Sequence, residues 1–162
     1  MIQEKALAIA TGYIGEQEVP KGSNWGAFVQ HCLGLVGITV AAPWCQAFMY
    51  RCVAEAAAAL NLPIPIVKSG SVLDCWNRTT GNRKVFKIEA LSRPELVTPG
   101  MQFILKLGAT TGHTGMVVRV DGHKYCTIEG NSNNDGSREG FAVVTHVRDM
   151  NDANLLGFIK YD

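Results

Sequence analysis

The chain of 162 residues has no long apolar run, no excess of either charge and no close pair of cysteines. Each absence removes a class of function. No stretch reaches the roughly 18 uninterrupted apolar residues that span a bilayer, so no membrane insertion is expected. Fifteen basic side chains against 14 acidic ones, with no local basic cluster, supply no field for gripping nucleic acid, which is not expected as a partner. The five cysteines, Cys32, Cys45, Cys52, Cys75 and Cys126, include no Cys-x-x-Cys pair; this is neither a zinc spacing nor a dense disulfide framework. Their odd number leaves at least one thiol free. Met1-Ile2-Gln3-Glu4-Lys5-Ala6-Leu7 carries no basic run followed by an apolar segment, so synthesis in the cytoplasm without a signal peptide is expected. No linker, low-complexity run or internal repeat divides the chain. One domain over residues 1–162 is expected, as a monomer, able to bury about two thirds of its unfolded surface without disulfides or metals.

What is present centres on Ala41-Ala42-Pro43-Trp44-Cys45-Gln46-Ala47-Phe48. Pro43 suits the first position of a helix, where its missing N–H has no partner to lose. Cys45 then falls in the first turn, among unpaired backbone N–H groups and at the positive end of the helix dipole, which favours thiolate over thiol. The same cysteine also fits a buried stripe, because Cys45, Phe48, Met49, Cys52, Ala56 and Ala59 follow helical spacing. Nucleophile and core residue are both open at this point.

Ahead of this stretch, residues 2 to 13 carry the spacing of an amphipathic helix, and Ser23 or Asn24 can cap a second helix from Trp25 to about Leu33. The Cys45 helix should run to about Leu60, stopped by Asn61-Leu62-Pro63-Ile64-Pro65. Ser69-Gly70-Ser71 can cap a fourth helix from Val72 to about Arg78. From Arg83 the texture turns to alternation and β-branched residues. Strands are expected at Lys84 to Ile88, Met101 to Leu107, His113 to Val120, Lys124 to Glu129, Phe141 to Val147 and Leu156 to Tyr161. Helices followed by strands predict an α+β fold, N-terminal helices packed on one side of a C-terminal antiparallel sheet of about six strands.

A cysteine nucleophile needs a base and a group that orients the base. Of the four histidines, His31 lies in the second helix, His123 in a turn and His146 in a strand. His113, within Thr111-Gly112-His113-Thr114-Gly115, starts a strand between glycines that leave its ring open. If Asp121-Gly122-His123 forms a three-residue loop, Val120 pairs with Lys124, His113 comes opposite Asn131, and Glu129 shares its face. A two-residue loop would move Glu129 to the other face. Glu129 also reads as a solvated strand end, and Asn131 as a turn residue.

Taken together, Pro43-Trp44-Cys45-Gln46-Ala47-Phe48, Gly112-His113-Thr114-Gly115 and Thr127-Ile128-Glu129-Gly130-Asn131 resemble the three signatures of the CHAP family, the cysteine- and histidine-dependent amidohydrolases and peptidases of the NlpC-type, papain-like superfamily found in phage endolysins. The resemblance extends through Gly22 to Gly26, Ser69 to Val72, Gly136 to Gly140 and Gly157-Phe158-Ile159. It implies a papain-like fold and a peptidoglycan hydrolase cutting the N-acetylmuramoyl-L-alanine amide or a bond of the stem or cross-bridge. Cys45 matches the nucleophile, His113 the base, Glu129 the orienting residue and Asn131 a further polar position. The expected partner is bacterial peptidoglycan or its muropeptides, met outside the cytoplasm. Trp44, Trp76, Ser137 and Arg138 are candidates to contact sugar or stem peptide, with Trp44 equally suited to the core. Acidic residues that hold calcium in some phage relatives are missing from Gly34 to Ala42, so neither metal nor cofactor is expected. Thr39 stands where papain has its oxyanion glutamine. Two other activities fit the same residues, a thiol-dependent acyl or peptidyl transferase and a non-catalytic wall-binding module.

Overall fold

Helical spacing gives way to alternation near residue 83, and the structure, a computed structural model describing residues 1–132 and 140–162, divides at the same place. Helices α1 (Ile2–Gly12), α2 (Ala27–Leu35), α3 (Cys45–Ala59) and α4 (Val72–Arg78) come first. Strands β1 (Lys84–Phe86), β2 (Gln102–Lys106), β3 (Gly112–Asp121), β4 (Lys124–Ser132), β5 (Ala142–Asp149) and β6 (Leu155–Ile159) follow, with helix α5 (Lys87–Ser92) between β1 and β2. Among the described residues the strands form one antiparallel sheet in the order β1-β6-β2-β3-β4-β5. The architecture is α+β, as the sequence predicts.

Period-two alternation gives the sheet two apolar faces, and both are covered. Ile104, Met116, Ile128, Val143 and Ile159 face α1 to α4 and share a core with Phe48, Met49, Val53 and the alanines Ala56 and Ala57 of α3. Phe103, Leu105, Val117, Tyr125 and Phe158 point the other way, onto Ala90 and Leu91 of α5. The expectation of helices on one side is thus correct for α1 to α4 and incomplete for α5. The expected strand through Ile88 ends at Phe86, because the Glu89 carboxylate accepts the Phe86 N–H at 2.9 Å and starts a helix instead.

Two helix starts also differ from expectation. The α2 N-cap is Gly26, since Asn24 (φ 54°) and Gly26 (φ 111°) hold the chain in left-handed geometry that postpones the helix past Trp25. At α3 the N-cap is Trp44, and Pro43 lies outside the helix; the first intrahelical bond runs from Phe48 N–H to Trp44 C=O at 2.9 Å. Cys45 is therefore the first helical residue, nearer the dipole's positive end than the Pro43 rule implies. The α4 cap is as expected, with Ser71 Oγ accepting the Asp74 N–H at 3.2 Å. All five cysteines are free thiols. Among the described residues no helix is long and apolar enough to cross a membrane.

The β3–β4 hairpin settles which face Glu129 occupies. Asp121 pairs with Lys124, so the loop is the two residues Gly122-His123, and the expected Val120 to Lys124 pairing is replaced by Val120 to Tyr125. That parity alone would turn Glu129 away from His113. A register shift between Val117 and Arg119 restores it, and beyond the shift Met116 pairs with Ile128.

Candidate active site

Cys45 is 3 % exposed and lines a cleft of about 190 Å³. The walls are Ile38 and three segments that lead into secondary structure: Ala42-Pro43 before α3, Gly70–Val72 before and at the start of α4, and Thr110 with Gly112 at the start of β3. None of these side chains carries charge. The amides of Cys45, Gln46 and Ala47 precede the first intrahelical hydrogen bond, so the helix end presents donors without helical acceptors beside the sulfur. The α3 terminus can seat itself this closely on the sheet because residue 130 is glycine. A Cβ there would stand 2.8 Å from the Trp44 ring and 2.9 Å from Phe48.

His113, the second residue of β3, is 1 % exposed and forms a 2.7 Å hydrogen bond from Nε2 to Glu129 Oε1. Room for that carboxylate comes from Gly115, where a Cβ would meet Glu129 Cγ at 2.7 Å. Burial works against a charged imidazole, but hydrogen bonding and charge from Cys45 and Glu129 outweigh it and raise the His113 pKa from 6.5 to about 9. Nδ1 makes no hydrogen bond, although the Cys45 thiol is among the groups that raise the pKa of the ring. With Nε2–H held by the carboxylate, Nδ1 is the basic nitrogen left for sulfur.

Glu129 is fully buried and ionised. Burial alone would raise its pKa; hydrogen bonds and charge from Arg148 and His113 overcome that and lower it from 4.5 to about 2. Arg148 donates Nε to Oε2 at 2.5 Å and Nη2 to Oε1 at 2.6 Å, a two-pronged guanidinium–carboxylate contact. Thr127 Oγ1 donates to Oε2 at 2.6 Å. The guanidinium also lies over the Phe103 ring, 5.0 Å from its centroid.

Arg148 and Thr127 are residues that sequence reasoning missed. Their signal is positional: Tyr125 pairs with Arg148 and Thr127 with His146, so Arg148 shares the Glu129 face of the sheet. An arginine on a covered strand face needs a carboxylate. Ending β5 at Val147 hides that pairing.

Asn131 is buried at φ 53°, two residues along β4 from Glu129. Trp44 has no exposed surface, and its indole donates to the buried Glu18 carboxylate at 2.9 Å. That contact makes Trp44 a wedge fixing the start of α3 and corrects its assignment as a substrate contact. Trp76 is likewise buried, with the edge-to-face ring of Phe86 at 5.6 Å and the Lys84 ammonium at 4.8 Å. Neighbours from its own fold occupy the surfaces a sugar would need. Ser137 and Arg138 lie outside the described residues. His31 is exposed on α2, and His123 donates Nε2–H to Leu91 C=O at 2.9 Å. Among the described residues no three His, Cys, Asp or Glu side chains are grouped to hold a metal ion.

No protein-family model matches this chain, and neither a curated protein nor a solved structure matches it.

Proposed function

We propose that the chain is a cysteine-dependent amide hydrolase with a papain-like arrangement of Cys45, His113 and Glu129, acting on bacterial peptidoglycan. The observation that carries the chemistry is the 2.7 Å hydrogen bond by which an ionised, buried Glu129 holds His113 Nε2, with Cys45 near enough to the same ring to help raise its pKa. The peptidoglycan substrate rests on the resemblance of the three sequence motifs.

His113 Nδ1 takes the thiol proton, and the sulfur attacks the scissile carbonyl carbon. The carbonyl oxygen becomes an oxyanion, for which the free amides at the start of α3 are the donors at hand. As the tetrahedral intermediate collapses, the C–N bond breaks and imidazolium protonates the departing amine. The thioester remains on Cys45. Water then gives its proton to Nδ1 and attacks the thioester, and the thiol leaves with that proton. Glu129 stays ionised throughout, orienting the ring and stabilising its charged form. A wall substrate lies outside the cytoplasm, so delivery across the membrane belongs to this proposal.

Purified cell wall treated with the protein should release new amino groups, and Cys45→Ala should abolish that release with little change in thermal stability. Persistent release by Cys45→Ala would overturn the assignment. Product analysis with added amine acceptors separates the two thiol chemistries, since a transferase would join the acyl group to the acceptor instead of releasing a carboxylate.

A further inference from the structure

Behind the site, on the helix-facing side of the sheet, lies a buried amide network that the hydrolytic mechanism does not use. Its centre is Gln102 on β2, a polar side chain with no exposed surface. Both amide protons are committed, one to Gln46 Oε1 at 2.8 Å and one to Thr114 Oγ1 at 2.7 Å. The Tyr161 hydroxyl donates to Gln102 Oε1, and Thr114 Oγ1 passes its own proton to Phe103 C=O at 2.6 Å. Tyr161 is tied in turn to α1, its N–H donating to Gln3 Oε1 at 2.8 Å.

The two outer partners are sequence neighbours of the reacting residues. Gln46 follows Cys45 at the second position of α3, and Thr114 follows His113 on β3. Gln46 also acts on the Cys75 thiol of α4, countering part of the burial that pushes that thiol to about 11. One amide therefore joins the helix that bears the sulfur to the strand that bears the imidazole. An apolar contact would let these elements slide, whereas a hydrogen-bonded amide has one arrangement that satisfies it.

We propose that Gln102 is a positioning residue that sets the spacing of Cys45 and His113 through Gln46 and Thr114. This rests on the hydrolase reading of the site. A shift of about 1 Å in such a pair can cost on the order of a hundredfold in rate.

The test measures carbamidomethylation of Cys45 by iodoacetamide across pH, with Cys126→Ser in every protein to remove the one partly exposed thiol besides it, alongside kcat and KM on cell wall. Gln102→Leu should slow Cys45 alkylation below neutrality by about tenfold or more and lower kcat with KM unchanged. Because Gln102→Leu orphans its partners, the triple variant Gln46→Leu, Gln102→Leu, Tyr161→Phe is measured too. Removing the partners together should restore thermal stability without restoring reactivity. A folded triple variant with Cys45 reactivity close to the parent's would overturn the proposal and leave the hydrolase reading standing. A parent protein whose Cys45 reacts no faster than buried Cys32 would overturn both.

Discussion

At the carboxylate end of the site, Glu129 accepts from His113, Thr127 and both prongs of Arg148, deep in the sheet and shut off from water. At the sulfur end, Cys45 opens on a cleft with uncharged walls, a helix terminus with amides to spare and an imidazole nitrogen without an aligned partner. The contrast divides the labour. Charge is concentrated where it cannot be screened and need not move; unmet bonding capacity is left at the cleft, where the proposed hydrolysis would place a substrate carbonyl. The histidine belongs to both ends, one nitrogen fixed and the other available.

Changes at either end should show the difference. Cys45→Ala removes the proposed nucleophile and, on the hydrolase proposal, should take amide hydrolysis to background, the largest effect expected, while urea unfolding stays near that of the parent. Arg148→Met should act through stability instead: a buried carboxylate loses its main counter-charge, a loss on the order of 3–5 kcal/mol by chemical denaturation, with activity falling as His113 loses its orienter.

Titration should expose the two ends on opposite sides of neutrality. The His113 pKa is raised from 6.5 to about 9, so its stabilising contribution is complete below about 6.5 and lost as pH rises through about 9. The Glu129 pKa is lowered from 4.5 to about 2, so its contribution is complete above about 4.5 and lost as pH falls through about 2. The stability difference between parent and His113→Gln should therefore be flat in mild acid and shrink on the alkaline side. A difference that grows with alkali would reverse the sign and break the account of the ring. The smallest effect belongs to Ser71→Ala, which removes the cap of α4 at the rim of the cleft; it should cost about 1 kcal/mol in thermal unfolding.

Much of this arrangement is legible in the sequence where the signal is local. Pro43 before Cys45 announces a helix start, although it falls just outside the helix, and the glycines around His113 announce the start of a strand, although the ring they are expected to leave open is buried. The shared face of His113 and Glu129 is legible only as a condition, because hairpin parity depends on loop length. The loop is two residues long, and an irregularity beside Val118 compensates for it. Nothing in the Val117-Val118-Arg119 run distinguishes the place where the register shifts. The partners of Glu18 and Glu129 are harder still. Trp44 is separated from Glu18 by 26 residues, and Arg148 from Glu129 by 19, so each pair exists only after the sheet and helices have docked. Aromatic side chains mislead for a related reason: Trp44 and Trp76 suit a sugar or a core equally, and the packing of Gly130, Phe86 and Lys84 around them decides. Helix α5 is hidden by the β-branched texture before it, although Glu89 is in position to cap Phe86.

The most direct measurement is an NMR titration of the His113 ring in the parent and in Cys45→Ala. A ring that belongs to the sulfur as well as to the carboxylate titrates near 9 in the parent and distinctly lower once the thiol is gone. A His113 that titrates near 6.5 and ignores the loss of Cys45 would contradict the pairing at the heart of the site.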